Sequence, residues 1–123
     1  MTDKPLVIAF EDDPKIAEAY EEMINELGGE IVVTASAVNG LALIRKLKPV
    51  LVLLDIMLEG DRNGFDILEE VKRNQDTATI PVVMMTNLDS EEKVARSIGV
   101  DDYIVKSNIS LTELQERLKK YIK

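Results

Sequence analysis

Short apolar runs punctuate the chain at residues 6–10, 30–35, 50–54, 80–86 and 103–105, each of strand length and rich in β-branched residues. Runs such as Val50-Leu51-Val52-Leu53-Leu54 are continuous rather than alternating. A continuous run suits a strand of a parallel sheet that is covered on both faces.

Between these runs the apolar period becomes helical. Ile16, Tyr20, Met23, Ile24 and Leu27 recur at helical spacing, with Asp13 as N-cap, Pro14 at the first helical position and Gly28-Gly29 as the stop. A second helix is expected over about residues 36–47 and a third over about residues 64–74. A fourth starts near Asp89-Ser90-Glu91-Glu92, a capping-box pattern, and ends before Gly99. The fifth opens on a second capping box, Ser110-Leu111-Thr112-Glu113, and sets Leu111, Leu114, Leu118 and Ile122 on one stripe. Five strands alternating with five helices through short loops predict an α/β, doubly wound sandwich with right-handed crossovers. In such sheets the functional crevice lies at the carboxyl ends of the strands, where strand order reverses.

Composition narrows the chemistry. A chain of 123 residues, 46% of them apolar, is one domain with one core, and no second domain is expected. With no Cys and no His, disulfides, thiolate metal sites and imidazole chemistry are excluded, which leaves Asp, Glu, Lys, Ser, Thr and Tyr. The formal charge of −8 opposes a phosphate backbone, and only the last helix, with Lys119, Lys120 and Lys123, is basic. No apolar stretch approaches the roughly 18 residues of a membrane span. The apolar run after MTDKP is too short for a signal sequence. The expectation is a cytoplasmic protein with no direct nucleic-acid partner and no membrane insertion.

Against that background the stretch FEDDP, residues 10–14, is conspicuous, because three acids follow directly on a buried strand. Asp12 and Asp13 end the first strand, Asp55 the third, Thr86 the fourth and Lys106 the fifth. With strand order 2-1-3-4-5, strands one and three are neighbours at the switch point and these polar residues converge. Taken singly, each has an ordinary reading: a helix cap with a solvated neighbour, a strand-end hydroxyl, a surface lysine. Taken together, none of these positions helps a core. Clustered carboxylates repel unless neutralised, so a Mg²⁺ ion on Asp13, Asp55, a backbone carbonyl and waters is the expected companion. Asp55 is then placed for in-line attack on a phosphoryl group, with Lys106 and the Thr86 hydroxyl each holding a phosphoryl oxygen.

The acids Glu11-Asp12-Asp13, the LLDIM segment around Asp55, the strand-end Thr86 and Tyr103-Ile104-Val105-Lys106 together resemble the receiver domain of bacterial two-component response regulators, over nearly the whole chain. A single-domain, chemotaxis-regulator-like receiver implies a flavodoxin-like (βα)5 sandwich spanning residues 1–123. It also implies a signalling switch rather than an enzyme: a sensor histidine kinase or phosphotransfer protein donates a phosphoryl group to Asp55, and the domain promotes its own phosphotransfer and dephosphorylation. The resemblance assigns Mg²⁺ to Asp12, Asp13, Asp55 and the backbone of Met57, and phosphoryl contact to Lys106. Thr86 and Tyr103 become the switch, Thr86 moving toward the phosphoryl group and Tyr103 swinging inward into the vacated space. The output face, formed by helix four, strand five and helix five, would meet a downstream protein.

Some positions depart from the family pattern. Glu59 stands where Pro is common, in a loop about one residue longer. Ser107 follows Lys106 where Pro is usual, so a trans bond or a conspicuously strained one is expected there. Thr86 and Lys106 are 20 positions apart, which calls for a short or reoriented fourth helix. Asn87, bulkier than the usual small residue, is expected to screen the site in part. Two other classes fit less of the chain. A phosphohydrolase of the haloacid dehalogenase type would carry a second Asp where Met57 stands, and a receiver-like scaffold that is never phosphorylated would be expected to lose Asp55, Lys106 or an acid, all of which are present.

Overall fold

The computed structural model describes residues 3–58 and 63–122. Its elements alternate as expected: β1 (Leu6–Phe10), α1 (Pro14–Glu26), β2 (Glu30–Thr34), α2 (Ala37–Leu47), β3 (Leu51–Leu54), α3 (Gly64–Arg73), β4 (Val82–Thr86), α4 (Glu92–Ile98), β5 (Asp102–Val105) and α5 (Leu111–Leu118). All strand pairs are parallel, in the order β2-β1-β3-β4-β5. This is a flavodoxin-like sandwich with its switch point between β1 and β3. The loop containing Glu59, for which a longer connection is expected, lies outside the described residues.

Each strand sends alternate side chains to opposite faces of the sheet, so that two cores form in place of the single one expected. Val7, Ala9, Leu51, Leu53, Val83, Met85 and Ile104 pack with Tyr20 and Ile24 of α1 and with Leu114 and Leu118 of α5. Ile8, Phe10, Val52, Leu54, Val82, Met84 and Tyr103 face the opposite layer of α2, α3 and α4, where Leu41, Ile44, Ile67, Leu68 and Ala95 meet them. Both parities are therefore buried, which is why the strands read as unbroken apolar runs. β3 shows this most fully: none of its four residues is more than 1% exposed. Burying such a Leu or Val side chain contributes about 1.5–3 kcal/mol.

The helix ends follow their local chemistry, with one exception. Asp13 caps α1 by accepting the Lys15 N–H at 2.9 Å, and Pro14 opens the helix. Ser36 caps α2, while Asn63 with Asp66 and Ser110 with Glu113 form full capping boxes on α3 and α5. The capping box expected on α4 does not form: Glu91 occupies the N-cap without a side-chain bond, and the Ser90 hydroxyl turns to the Glu91 carboxylate instead. α4 has seven residues and is the shortest of the five, in line with the narrow Thr86 to Lys106 spacing. Leu114, Leu118 and Ile122 are buried as expected, but Leu111 is 61% exposed, because it opens α5 at the rim of a cavity beside α1. No described peptide bond is cis, so Lys106-Ser107 is trans.

Candidate functional site

The register pairs Phe10 with Leu54, so the next residues of each strand, Glu11 and Asp55, emerge side by side at the carboxyl edge of the sheet. Strand parity decides which way they face. Glu11 continues the series Val7 and Ala9, Asp55 continues Leu51 and Leu53, and Lys106 continues Ile104, all on the side covered by α1 and α5. The three side chains accordingly meet there. The Lys106 ammonium donates to Asp55 Oδ2 at 2.8 Å and to Glu11 Oε1 at 2.9 Å.

This ammonium is well enclosed, as are its partners. Its side chain is 16% exposed, against 3% for Glu11 and 13% for Asp55. Burial by itself pulls the Lys106 pKa down, but the hydrogen bonds to Asp55 and Glu11 outweigh it and hold the group above the ordinary lysine range. Lys106 is therefore a fixed cation at any physiological pH. The second oxygens are also engaged: Asp55 Oδ1 accepts the Met57 N–H at 3.1 Å, and Glu11 Oε2 accepts the Asp13 N–H at 3.2 Å.

Asp55 is further held from behind by Gly64. A Cβ at that position would sit 2.3 Å from the Asp55 carbonyl oxygen, so only glycine lets the start of α3 pack onto the acceptor's backbone. The Gly64 N–H also donates to the Ile56 carbonyl at 2.9 Å, fixing the turn after β3.

The expected site residues divide into those the fold brings together and those it does not. Asp55 and Lys106 are in direct contact. Asp13 is not in the cluster: it lies one residue past the point where strand parity applies, and its carboxylate is spent on the α1 cap. Glu11 takes that place instead. Asp12 is exposed, and its carboxylate has no partner among the described residues. The Met57 side chain is 66% exposed, with its backbone beside Asp55. Asn87 is exposed at the end of β4.

Thr86 and Tyr103 lie on the other parity, toward α4. Thr86 is 1% exposed and its hydroxyl oxygen accepts the Leu88 N–H at 3.2 Å. Tyr103 is 5% exposed and its hydroxyl donates to the Leu88 carbonyl. Burial pushes its phenol above the usual range. The ring stands inward with Thr86 bonded to the same residue, Leu88. Both residues grip the two polar groups of one peptide residue at the root of the β4–α4 loop.

Tyr20 of α1 is a further residue at the site that sequence reading had placed only on a helical stripe. It is 4% exposed. Burial raises its phenol far above the ordinary range, Lys106 opposes that shift, and Glu11 and Asp55 add to it, so the ring stands within electrostatic reach of the cluster.

The oxygen donors suit a hard divalent cation that keeps most of its waters. Among the described residues no three acidic side chains are grouped tightly enough to enclose a metal alone. Mg²⁺ does not require such a cage, since it is usually held by one or two carboxylates with several waters. Asp12 is unpartnered, Asp55 retains lone pairs beyond its two hydrogen bonds, and the Met57 carbonyl is the nearby backbone oxygen in the sequence. The set fits.

Comparison with known proteins shows the family of the chain. The profile of the response regulator receiver domain matches residues 7–119. The chain is 35% identical over 104 residues to the transcriptional regulatory protein AfsQ1 of Streptomyces coelicolor, a match that covers 83% of this chain and 44% of that protein. It spans about half the length of the curated relatives it matches. The BeF3-activated N-terminal receiver domain of Klebsiella pneumoniae RstA is 28% identical with a TM-score of 0.82, over 94% of this chain and 97% of that one. The receiver domain of the Pseudomonas aeruginosa sensor histidine kinase PA1611, with a magnesium ion coordinated in its active-site cleft, has the same fold at 20% identity and a TM-score of 0.82, over 96% of this chain and 97% of that one.

Proposed function

The chain belongs to the response regulator receiver domain family of two-component signalling, and from that premise we propose that it is a phosphorylation-controlled switch whose acceptor is Asp55 and whose donor is a phosphohistidine on a sensor histidine kinase or phosphotransfer protein. The observation that carries the reading is the Asp55–Lys106–Glu11 contact at the switch point of the sheet. An aspartate at a strand end needs no buried lysine for packing, and a lysine shared by two carboxylates is poised to follow charge as it moves.

In the transfer, a carboxylate oxygen of Asp55 forms a bond to phosphorus while the P–N bond to the donor imidazole breaks. The imidazole leaves with the electron pair and takes up a proton, and an acyl phosphate remains on Asp55. Lys106 then shifts its ammonium onto a phosphoryl oxygen, with Glu11 keeping it within reach. Asp12, Asp55 and the Met57 carbonyl would hold Mg²⁺, whose chemistry is to neutralise the charge gathered on the phosphoryl oxygens. Asp13 remains the helix cap, and Glu11 serves as the second acid of the crevice. The magnesium of the Pseudomonas neighbour and the activated state of the Klebsiella one support this assignment.

The same reading makes residues 1–123 one receiver domain with no external substrate, catalysing only its own phosphorylation and dephosphorylation in the cytoplasm. Among the described helices none is long and apolar enough to cross a membrane. Thr86 and Tyr103 transmit the state through Leu88 to the face of α4, β5 and α5, where a downstream protein would dock. Asp102 ties that face together, accepting from Arg117 at 2.5 Å and pairing with Arg96 at 3.5 Å. Any nucleic-acid output would belong to other segments or partners, as in the longer relatives.

The test is intact mass after incubation with Mg²⁺ and acetyl phosphate, for the parent and Asp55→Asn. One phosphoryl adduct on the parent, absent from the variant, is expected. If neither gains mass, the same comparison with a phosphorylated kinase decides: no transfer to the parent there would sink the reading.

A further inference from the structure

Beside Lys106 a cavity of about 260 Å³ opens between α1 and α5. Ile16, Ala19, Met85, Ile109, Leu111 and Leu114 make its wall apolar. Its polar groups are few: Lys15, Tyr20, Lys106 and Ser110. The Ser110 hydroxyl is occupied by the α5 capping box. The Lys106 ammonium is held by Glu11 and Asp55.

Two groups remain. Tyr20 is 4% exposed, yet its hydroxyl has no hydrogen-bond partner among the described residues. Enclosed phenols ordinarily find one. No fully buried polar side-chain atom is left unsatisfied among the described residues, so the Tyr20 oxygen is the part of that side chain that meets the cavity. Lys15 stands exposed at the rim, without an ion pair among the described residues. Among the described residues no acid lines the cavity, although the chain as a whole carries a formal charge of −8.

We propose that this cavity binds a small amphipathic carboxylate, its ring or short branched chain against the apolar wall and its carboxylate on the Tyr20 hydroxyl and the Lys15 ammonium. The volume lies just below the roughly 300–1,000 Å³ of drug-sized sites, which limits the occupant to about one ring with a short acid arm. The Lys15 ammonium sets the sign of the head group, since no acid stands among the described lining residues to hold an ammonium. The cavity adjoins the phosphoryl crevice, with the side chains of Lys106 and Tyr20 standing between the two.

The experiment is an NMR titration of ¹⁵N-labelled protein with 3-phenylpropionate, and in parallel with the neutral 3-phenylpropan-1-ol, without Mg²⁺ or phosphodonor. Its outcome is thereby independent of whether Asp55 accepts a phosphoryl group. Saturable shifts confined to the cavity residues, Ile16, Ala19 and Leu111 among them, with a Kd on the order of 1 mM, are expected for the acid. The alcohol should bind about tenfold more weakly. Tyr20→Phe keeps the ring in the core and should weaken the acid about tenfold. Leu111→Glu adds an acid at the first turn of α5, which the helix dipole favours, so it should fold normally and also lose affinity for the acid. No saturation by the acid, equal binding of the alcohol, or unchanged affinity in both variants would overturn the proposal, and the cavity would then be a seat for a partner's apolar side chain.

Discussion

Replacing Lys106 with Met removes the ammonium but keeps an unbranched stem of similar length in the cavity wall that it shares with Met85 and Tyr20. What is lost is the cation between two carboxylates whose side chains are 3% and 13% exposed. Deleting one partner of a buried ion pair costs about 3–5 kcal/mol, because the other charge is left uncompensated. The crevice is open at the sheet edge, so the lower part of that range, about 3 kcal/mol, is the expectation for Lys106→Met at pH 7. For a chain of this size 1 kcal/mol moves Tm by about 3–6 °C, so the melt should fall by roughly 10 °C or more. The pH dependence has a definite sign. In the variant two enclosed carboxylates are left side by side with no cation between them, and a proton taken up by the pair relieves their repulsion, so acidification offsets part of the loss. The deficit of Lys106→Met should therefore be smaller at pH 5 than at pH 7. The parent adds nothing to that trend through Lys106. Its folded pKa is raised, so its contribution is complete below about 10.4 and fades only above the raised value. Urea unfolding followed by far-UV circular dichroism at both pH values would measure the difference. Adding Asp55→Asn to Lys106→Met leaves one carboxylate and should recover about 1 kcal/mol or more. A loss below about 0.5 kcal/mol at pH 7, a deficit that grows on acidification, or a double variant no better than the single would refute the reasoning.

Further tests probe the rest of the site. Mg²⁺ at about tenfold its Kd should stabilise the parent by about 1.4 kcal/mol, and Asp12→Asn should abolish most of that gain in a thermal melt. Gly64→Ala would drive a Cβ to 2.3 Å from the Asp55 carbonyl oxygen; a loss of about 1–3 kcal/mol and slower adduct formation with acetyl phosphate are expected, read by urea unfolding and by timed intact mass. Tyr103→Phe deletes the bond to the Leu88 carbonyl; it should cost about 1 kcal/mol and speed amide hydrogen exchange in the β4–α4 loop, and unchanged exchange there would show that Tyr103 does not hold the loop.

Much of the fold was legible because its strongest signals are local and redundant. The run Leu51-Val52-Leu53-Leu54 can be buried on both faces only inside a covered parallel sheet, and β3 is that strand. Asp13, Pro14 and Gly28 marked both ends of α1 because a cap, a fixed φ and a left-handed stop each act through their own residue; Gly28 has φ +87°. The α4 cap failed for the opposite reason. The four residues Asp89 to Glu92 satisfy a pattern, but whether Ser90 bonds the helix or its neighbour depends on how the loop leaves β4, where Thr86 and Tyr103 have already taken both polar groups of Leu88. Composition carries no trace of that tertiary commitment. The exposure of Leu111 is similar: its spacing puts it on the buried stripe of α5, but the sheet ends before it.

The three acids after β1 show how far the sequence could have been pressed. Chemistry alone favours an Asp pair, and Asp12 and Asp13 look equivalent on that ground. Strand parity separates them. Counting in twos from Val7 and Ala9 leads to Glu11, from Leu51 and Leu53 to Asp55, and from Ile104 to Lys106, and these are the side chains in contact. The same count puts Asp12 on the parity of Ile8 and Phe10, so it cannot share Lys106 with Glu11 and is left free at the edge. Asp13 falls beyond the strand, where its short carboxylate is suited to the first turn of α1. Mutual repulsion among adjacent acids is thus relieved by divergence: one is neutralised by a buried lysine, one remains in solvent, and one is turned onto a helix terminus. That division also gives Glu11 and Asp12 separable roles. Loss of the Glu11 carboxylate should act through the placement of Lys106, and loss of the Asp12 carboxylate through the metal alone.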